Sequence, residues 1–249
     1  MEYNQAMTEA RGMKRRLAIA LFSLSIAILA TGCRDLFTTS MGSSFARDGI
    51  SIPSSTSVAD LVDLAKDDSA TDPELAKEIL DVLSDKTPAS ILALPAEDKA
   101  AILKLATSAA VDMGTITDIA QRAQDAGGDT DALVEDAFNS FDSSVNLGAI
   151  ETLLADADTL QTAPVDSLIF ATSVVTADIA AELGAGGSST VMDILANPST
   201  LATSGLNAEQ QARMQTVIDA AATIEARPDA ADTSIGDFQL IDFLKGTQP

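Results

Sequence analysis

One thiol, a large set of carboxylates and scattered hydroxyls make up nearly all the reactive side-chain chemistry of this 249-residue chain. There is no His and no Trp, and the single Tyr, Tyr3, lies near the amino terminus. Without imidazole the chain lacks the usual general base at neutral pH and the commonest zinc ligand. Ser-His-Asp and Cys-His catalysis are therefore excluded, and so is a metal centre built on His and several Cys. The only cysteine, Cys33, has no intrachain partner for a disulfide. Carboxylates are plentiful, with 37 Asp and Glu against 15 Lys and Arg. A glycosidase-type acid pair is compatible with that composition. Such sites usually carry aromatic platforms for sugars, however, and nothing in the spacing of these acids singles out two of them. The expectation is a protein that is not an enzyme, with no catalytic residues, no cofactor-binding residues and no metal ligands.

The surroundings of Cys33 give its thiol a use. Lys14, Arg15 and Arg16 precede an apolar run from Leu17 to Leu29, and Ala30, Thr31 and Gly32 lead into the cysteine. A basic segment, a short apolar core and small residues before a cut form the layout of a secretory leader. Sixteen uncharged residues separate Arg16 from Cys33, fewer than the roughly 20 that span a bilayer as a helix. Leu29-Ala30-Thr31-Gly32-Cys33 resembles the lipobox of bacterial lipoprotein precursors. The family prefers Leu three places before the cysteine; here Ala30 stands there and Leu29 is one step further back. The resemblance implies diacylglycerol on the Cys33 sulfur, cleavage that makes Cys33 the first mature residue, and a membrane-anchored, exported product. Arg34 after the cysteine favours the outer membrane over the inner by the enteric sorting rule. Met13 begins a better-proportioned leader than Met1.

Within residues 1–32 the charged groups are Glu2, Glu9, Arg11, Lys14, Arg15 and Arg16, which leaves 11 basic and 35 acidic residues and a net charge of −24 beyond the leader. A polyanion of this kind is repelled by nucleic acid and by anionic lipid surfaces. No nucleic-acid partner is expected, and the membrane is expected to be reached through the Cys33 anchor alone.

Two acidic runs have the look of calcium loops: Asp129, Asp131, Glu135 and Asp136 after Gly127-Gly128, and Asp156 with Asp158. Neither has ligands at positions 1, 3 and 5, glycine at 6 and glutamate at 12. Helix capping and solvation account for both. Gly184 to Gly187 lacks the Lys and the preceding strand of a phosphate loop and reads as a helix stop.

The elements that carry these residues read as helices nearly throughout. Residues 1–32 are expected to be a signal peptide, 33–56 a lipidated amino terminus and tether, and 57–249 a single all-helical domain. Leu36, Phe37, Phe45 and Ile50 give the tether enough apolar character to dock on the domain instead. Ser57 with Asp60, Asp72-Pro73, Pro95 with Glu97 and Asp98, and Asn207 with Gln210 are helix-start signals. The stripes behind them are Val58, Leu61, Val62 and Ala65; Leu75, Ile79, Val82 and Leu83; Ile102, Leu105, Ala106, Ala109 and Met113, stopped by Gly114; and Met214, Val217, Ile218 and Ala221. Lys99 falls on the face expected to be exposed.

Between them come a short helix on Ile116, Ile119, Ala120 and Ala123, one on Val134, Ala137, Phe138 and Phe141, and one on Leu147, Ile150, Leu153, Leu154 and Ala157. Asp166 to Leu183 is apolar on most of its circumference, which places it in the centre of a bundle. Val191 to Ala196 is a short helix, and Ser234 with Asp237 opens a small terminal one on Phe238, Ile241 and Leu244. No strand is expected.

Shifting the chain by 112 residues aligns 81–110 with 193–222 at eight identical positions of 30, among them Asp81 with Asp193, Leu94 with Leu206 and Glu97 with Glu209. The same order of short helix, loop and long helix occurs twice. The alternative is two ordinary helix pairs that share capping grammar. The fold class expected is all-α, an irregular bundle or a short array of helix hairpins, about ten helices in all. Such an array coarsely resembles tetratricopeptide-like repeats, without their period or aromatic signature. It implies a concave face on which a protein partner could sit. The function expected is that of a lipid-anchored adaptor or scaffold in the cell envelope. The alternative is a binding protein holding a small apolar or cationic ligand in a helical pocket.

Overall fold

The computed structural model describes residues 51–110, 141–232 and two short strands, Ser234–Ile235 and Phe238–Gln239. The fold is all-α. The described residues contain nine α-helices: α1 (Val58–Lys66), α2 (Pro73–Ser84), α3 (Pro88–Leu92), α4 (Ala96–Ala110), α5 (Gly148–Leu154), α6 (Ala157–Thr162), α7 (Val165–Leu183), α8 (Gly187–Ala196) and α9 (Ala208–Glu225). Short 3-10 segments at Asp68–Thr71 and Pro198–Thr203 join α1 to α2 and α8 to α9, and a third, Pro228–Asp232, follows α9.

Their starts follow the local chemistry of orphan N–H groups. The Ser57 hydroxyl accepts from the Asp60 N–H at 3.2 Å and donates to the Asp60 carboxylate at 2.6 Å. Asp72 accepts from the Glu74 and Leu75 amides ahead of Pro73. Asn207 and Gln210 close a reciprocal capping box at the start of α9. Pro88 at the first position opens α3, a helix not expected from the apolar periodicity, and Thr87 ahead of it makes no side-chain capping bond.

α7 is the central element, packed by α4, α5, α8 and α9. Thirteen of its 19 residues are buried. Its buried hydroxyls need no outside partner: Thr172, Ser173 and Thr176 donate to the carbonyls of Leu168, Ile169 and Thr172 at 2.7–2.8 Å. Back-bonding of this kind lets polar side chains enter an aliphatic core without an unsatisfied group. Ile102, Leu105, Val174 and Val175 all lie in that core, as their periodicity predicts.

The two halves of the 112-residue repeat match in local order but not in packing. α2 ends at Ser84 and α8 at Ala196, and α4 begins at Ala96 and α9 at Ala208, each pair in register with the shift. α2 packs along α4, whereas α8 packs on α7 and makes little direct contact with α9.

Three expectations are corrected. The helix drawn from Leu147 through Ala157 is two helices, because Asp156 turns out to be the cap of α6 and Ala157 starts the new one. Ser234–Ile235 and Phe238–Gln239 pair as an antiparallel ladder with Ile235 opposite Phe238, where a terminal helix and no strand were expected. Ile235 and Phe238 are of the β-branched and aromatic types that favour paired strands. Lys99 is buried, at 3% exposure, and not on the exposed face.

Candidate functional site

Cys33, Gly127-Gly128, Asp129, Asp131, Glu135 and Asp136 lie outside the described residues, as do the stripes on Ile116 to Ala123 and Val134 to Phe138 and the tether residues Leu36, Phe37, Phe45 and Ile50. The end of the tether is described, and it is held. Ile52 packs against the core, and its N–H donates to Glu78 Oε1 at 2.9 Å. Lys86 Nζ donates to the Ser54 carbonyl at 2.6 Å. The chain therefore runs along α2 before Ser57 turns it into α1.

Asp156 and Asp158 are brought together with Lys99. Lys99 Nζ, on α4, lies 3.1 Å from Asp156 Oδ2 and 3.5 Å from Asp158 Oδ2. Asp156 Oδ2 also accepts from the N–H and hydroxyl of Thr159. Burial works against this carboxylate, but the hydrogen bonds from Thr159 and Lys99 outweigh it and hold its pKa below the ordinary value. The far end of α6 is held too: Arg227 Nη1 donates to the Leu160 and Ala163 carbonyls at 2.9 and 2.6 Å, while its Nε and Nη2 grip Asp229. A six-residue helix is unstable alone. Here side chains from α4 and from beyond α9 close both of its ends.

The densest charge cluster joins three helices. Arg213 of α9 donates through Nε to Glu151 of α5 at 2.6 Å, through Nη2 to Asp178 of α7 at 2.5 Å, and through Nη1 to Glu182 of α7. Gln210 Nε2 adds a bond to Glu182 at 3.3 Å. One guanidinium thus faces three carboxylates, with the Arg213 and Asp178 side chains only 14% and 13% exposed. Burial pushes the pKa of Glu151 and of Asp178 up, against the pull of Arg213. Burial also opposes the charge on Arg213, but its bonds to Asp178 and Glu151 prevail and push its pKa further up. The sequence shows these residues only as members of capping turns and polar faces; Asp178, the only charge between Asp166 and Glu182, is the one signal that could have found the cluster.

Chemically, these arrangements are clamps. Each cation is engaged by acids or carbonyls, and no group of three or more His, Cys, Asp or Glu able to hold a metal occurs among the described residues. Gly184 to Gly187 is the helix stop expected of it: Gly184 ends α7 at φ +69°, and a Cβ on Gly187 would come 2.1 Å from the Ala180 carbonyl oxygen. No described helix is long and apolar enough to cross a membrane. Comparison with protein-family models, with curated proteins and with solved structures gives no match.

Proposed function

We propose that this chain is an exported, lipid-anchored helical module that acts in the cell envelope as a non-catalytic adaptor or scaffold. The observation that carries the reading is Cys33, the only thiol, placed directly behind a basic and apolar leader with the lipobox-like run Leu29 to Gly32. The rest of the chain is consistent with an adaptor. Its described charged clusters are committed to joining helices, its buried hydroxyls are bonded to their own helix, and the composition supplies no imidazole. The outer membrane is the destination this reading favours, through Arg34.

In-cell photo-crosslinking from exposed positions such as Lys104 and Glu209, in the anchored protein and in a Cys33→Ala form, tests it. The adaptor reading expects a discrete protein adduct that depends on the anchor. Native mass spectrometry of the same preparation addresses the other class of function. A retained small molecule of constant mass, with no protein adduct, would replace the adaptor with a ligand carrier.

A further inference from the structure

We propose that Glu151, Asp178, Glu182 and Arg213 form a proton-operated joint: near neutrality it holds two excess negative charges between α5, α7 and α9, and on mild acidification it takes up a proton and binds the three helices more tightly. The geometry sets up the imbalance. Arg213 spends one N–H bond on each of three carboxylates from two other helices, so none of them receives the paired fork that a guanidinium gives a single partner. Like charges crowded around one cation in a half-buried place disfavour full ionisation. A proton on one carboxylate removes a repulsion and turns that group into a donor toward its neighbours.

Other charges near the joint do not balance it. On the same helices, Asp166, Glu209, Asp219 and Glu225 are exposed and acidic. On α4, which packs on α5 and α7, Lys99 is paired with Asp156 and Asp158, Asp98 with Lys66, and Lys104 and Glu97 are exposed. α6 adds only Asp158 to Asp156, its cap, and α8 only the exposed Asp193; α2 has Lys77 bound to Asp142 and Glu74, Glu78 bound to the Ile52 amide, and exposed Asp81, with exposed Asp85 just past its end. α3 and the turn at Pro198–Thr203 carry no charge.

The sign follows from linkage. Burial raises Glu151 and Asp178 above their ordinary values, so between a group's unfolded and folded values the folded chain holds a proton that the unfolded chain has released. Stability then rises as pH falls through the folded value, and the gain is complete below about 4, where the unfolded carboxylates also protonate.

The test is thermal unfolding of the full chain from about pH 7.5 to about pH 5 in roughly 0.1 M salt, with two variants. The expected result is a melting temperature that rises by about 2 °C or more in the parent. Glu151→Gln should already be raised at the neutral end and should lose most of the rise. Glu209→Gln, which removes the same charge at an exposed site, should keep it. A rise of equal size in both variants, or a parent that melts lower in mild acid, overturns the joint. Should Glu151→Gln fail to fold, carboxyl-carbon NMR of the parent decides. Titration of Glu151 or Asp178 above the ordinary range upholds the proposal, and titration of both within or below it overturns it.

Discussion

Truncating Lys99 to alanine would strip Asp156 of its cation while leaving it half-buried at the start of α6. Unlike a surface ion pair, which is worth little, this one loses a buried ammonium, its packed stem and a helix cap's partner together. We expect a loss of about 1–3 kcal/mol in chemical denaturation, against little change for Lys104→Ala on the exposed face of the same helix. The double variant Lys99→Met with Asp156→Asn should recover part of the loss, because neither partner is then left as an unpaired charge. Indistinguishable midpoints for Lys99→Ala and Lys104→Ala would mean the contact carries no energy. Periodicity puts Lys99 on the outside because the buried face of α4 is wider than the stripe through Ile102, Leu105, Ala106 and Ala109: Ala100, Ala101 and Leu103 are buried as well. A lysine can enter such a face only when distant acids meet it, and no local pattern announces Asp156 from 57 residues away. The core positions were legible for the opposite reason. Ile102→Ala and Leu105→Ala each remove a fully enclosed side chain, and about 2–5 kcal/mol is the expected cost.

Helix starts were readable because a cap is a local bond between residues two or three apart, as Ser57, Asp72 and Asn207 each demonstrate. Helix ends and breaks were less so. Asp156 caps α6 by the same grammar, yet the apolar spacing of Leu147 to Ala157 ran straight across it. The Arg213 cluster was illegible for a further reason: its members lie on three helices, and only tertiary packing brings them together. The turn between α7 and α8 offers a test at this level. Gly187 opens α8 against the Ala180 carbonyl of the preceding helix, and the backbone there has no flexible side chain to yield. Gly187→Ala should therefore lower the melting temperature by several degrees, whereas Ala185→Ser, exposed in the same turn, should not. Equal melting temperatures for the two would show that α8 can move away without penalty.

Across the whole molecule, stability is shaped by a formal charge of −22 and by two sets of carboxylates that respond to protons in opposite directions. The hydrogen bond from Lys77, followed by those from Ser144, pushes Asp142 down to about 2, and Arg227 holds Asp229 below its ordinary value. Groups lowered in this way stabilise the fold above the ordinary carboxylate range and lose that effect as pH falls from about 4 toward 2. The Arg213 joint and the general self-repulsion act the other way on the neutral side. The melting temperature should thus peak on the acidic side of neutrality. At neutral pH it should rise with sodium chloride, whose screening reaches charges about 10 Å apart at 0.1 M. Calcium at equal ionic strength should do no more than sodium chloride; a much larger rise would mean that Asp129, Asp131 and Asp136 hold a metal. The bundle itself was legible because α7 is apolar on nearly every face and so must be enclosed. The mismatch between the two repeated units was not, since register is written in sequence and packing partners are not. The central claim, a lipid anchor at Cys33, is tested most directly by metabolic labelling of cells with a fatty-acid probe, comparing the parent chain with Cys33→Ala. Label on the parent and none on the variant, which remains uncut or soluble, is the predicted result. Equal label on both would contradict the anchor.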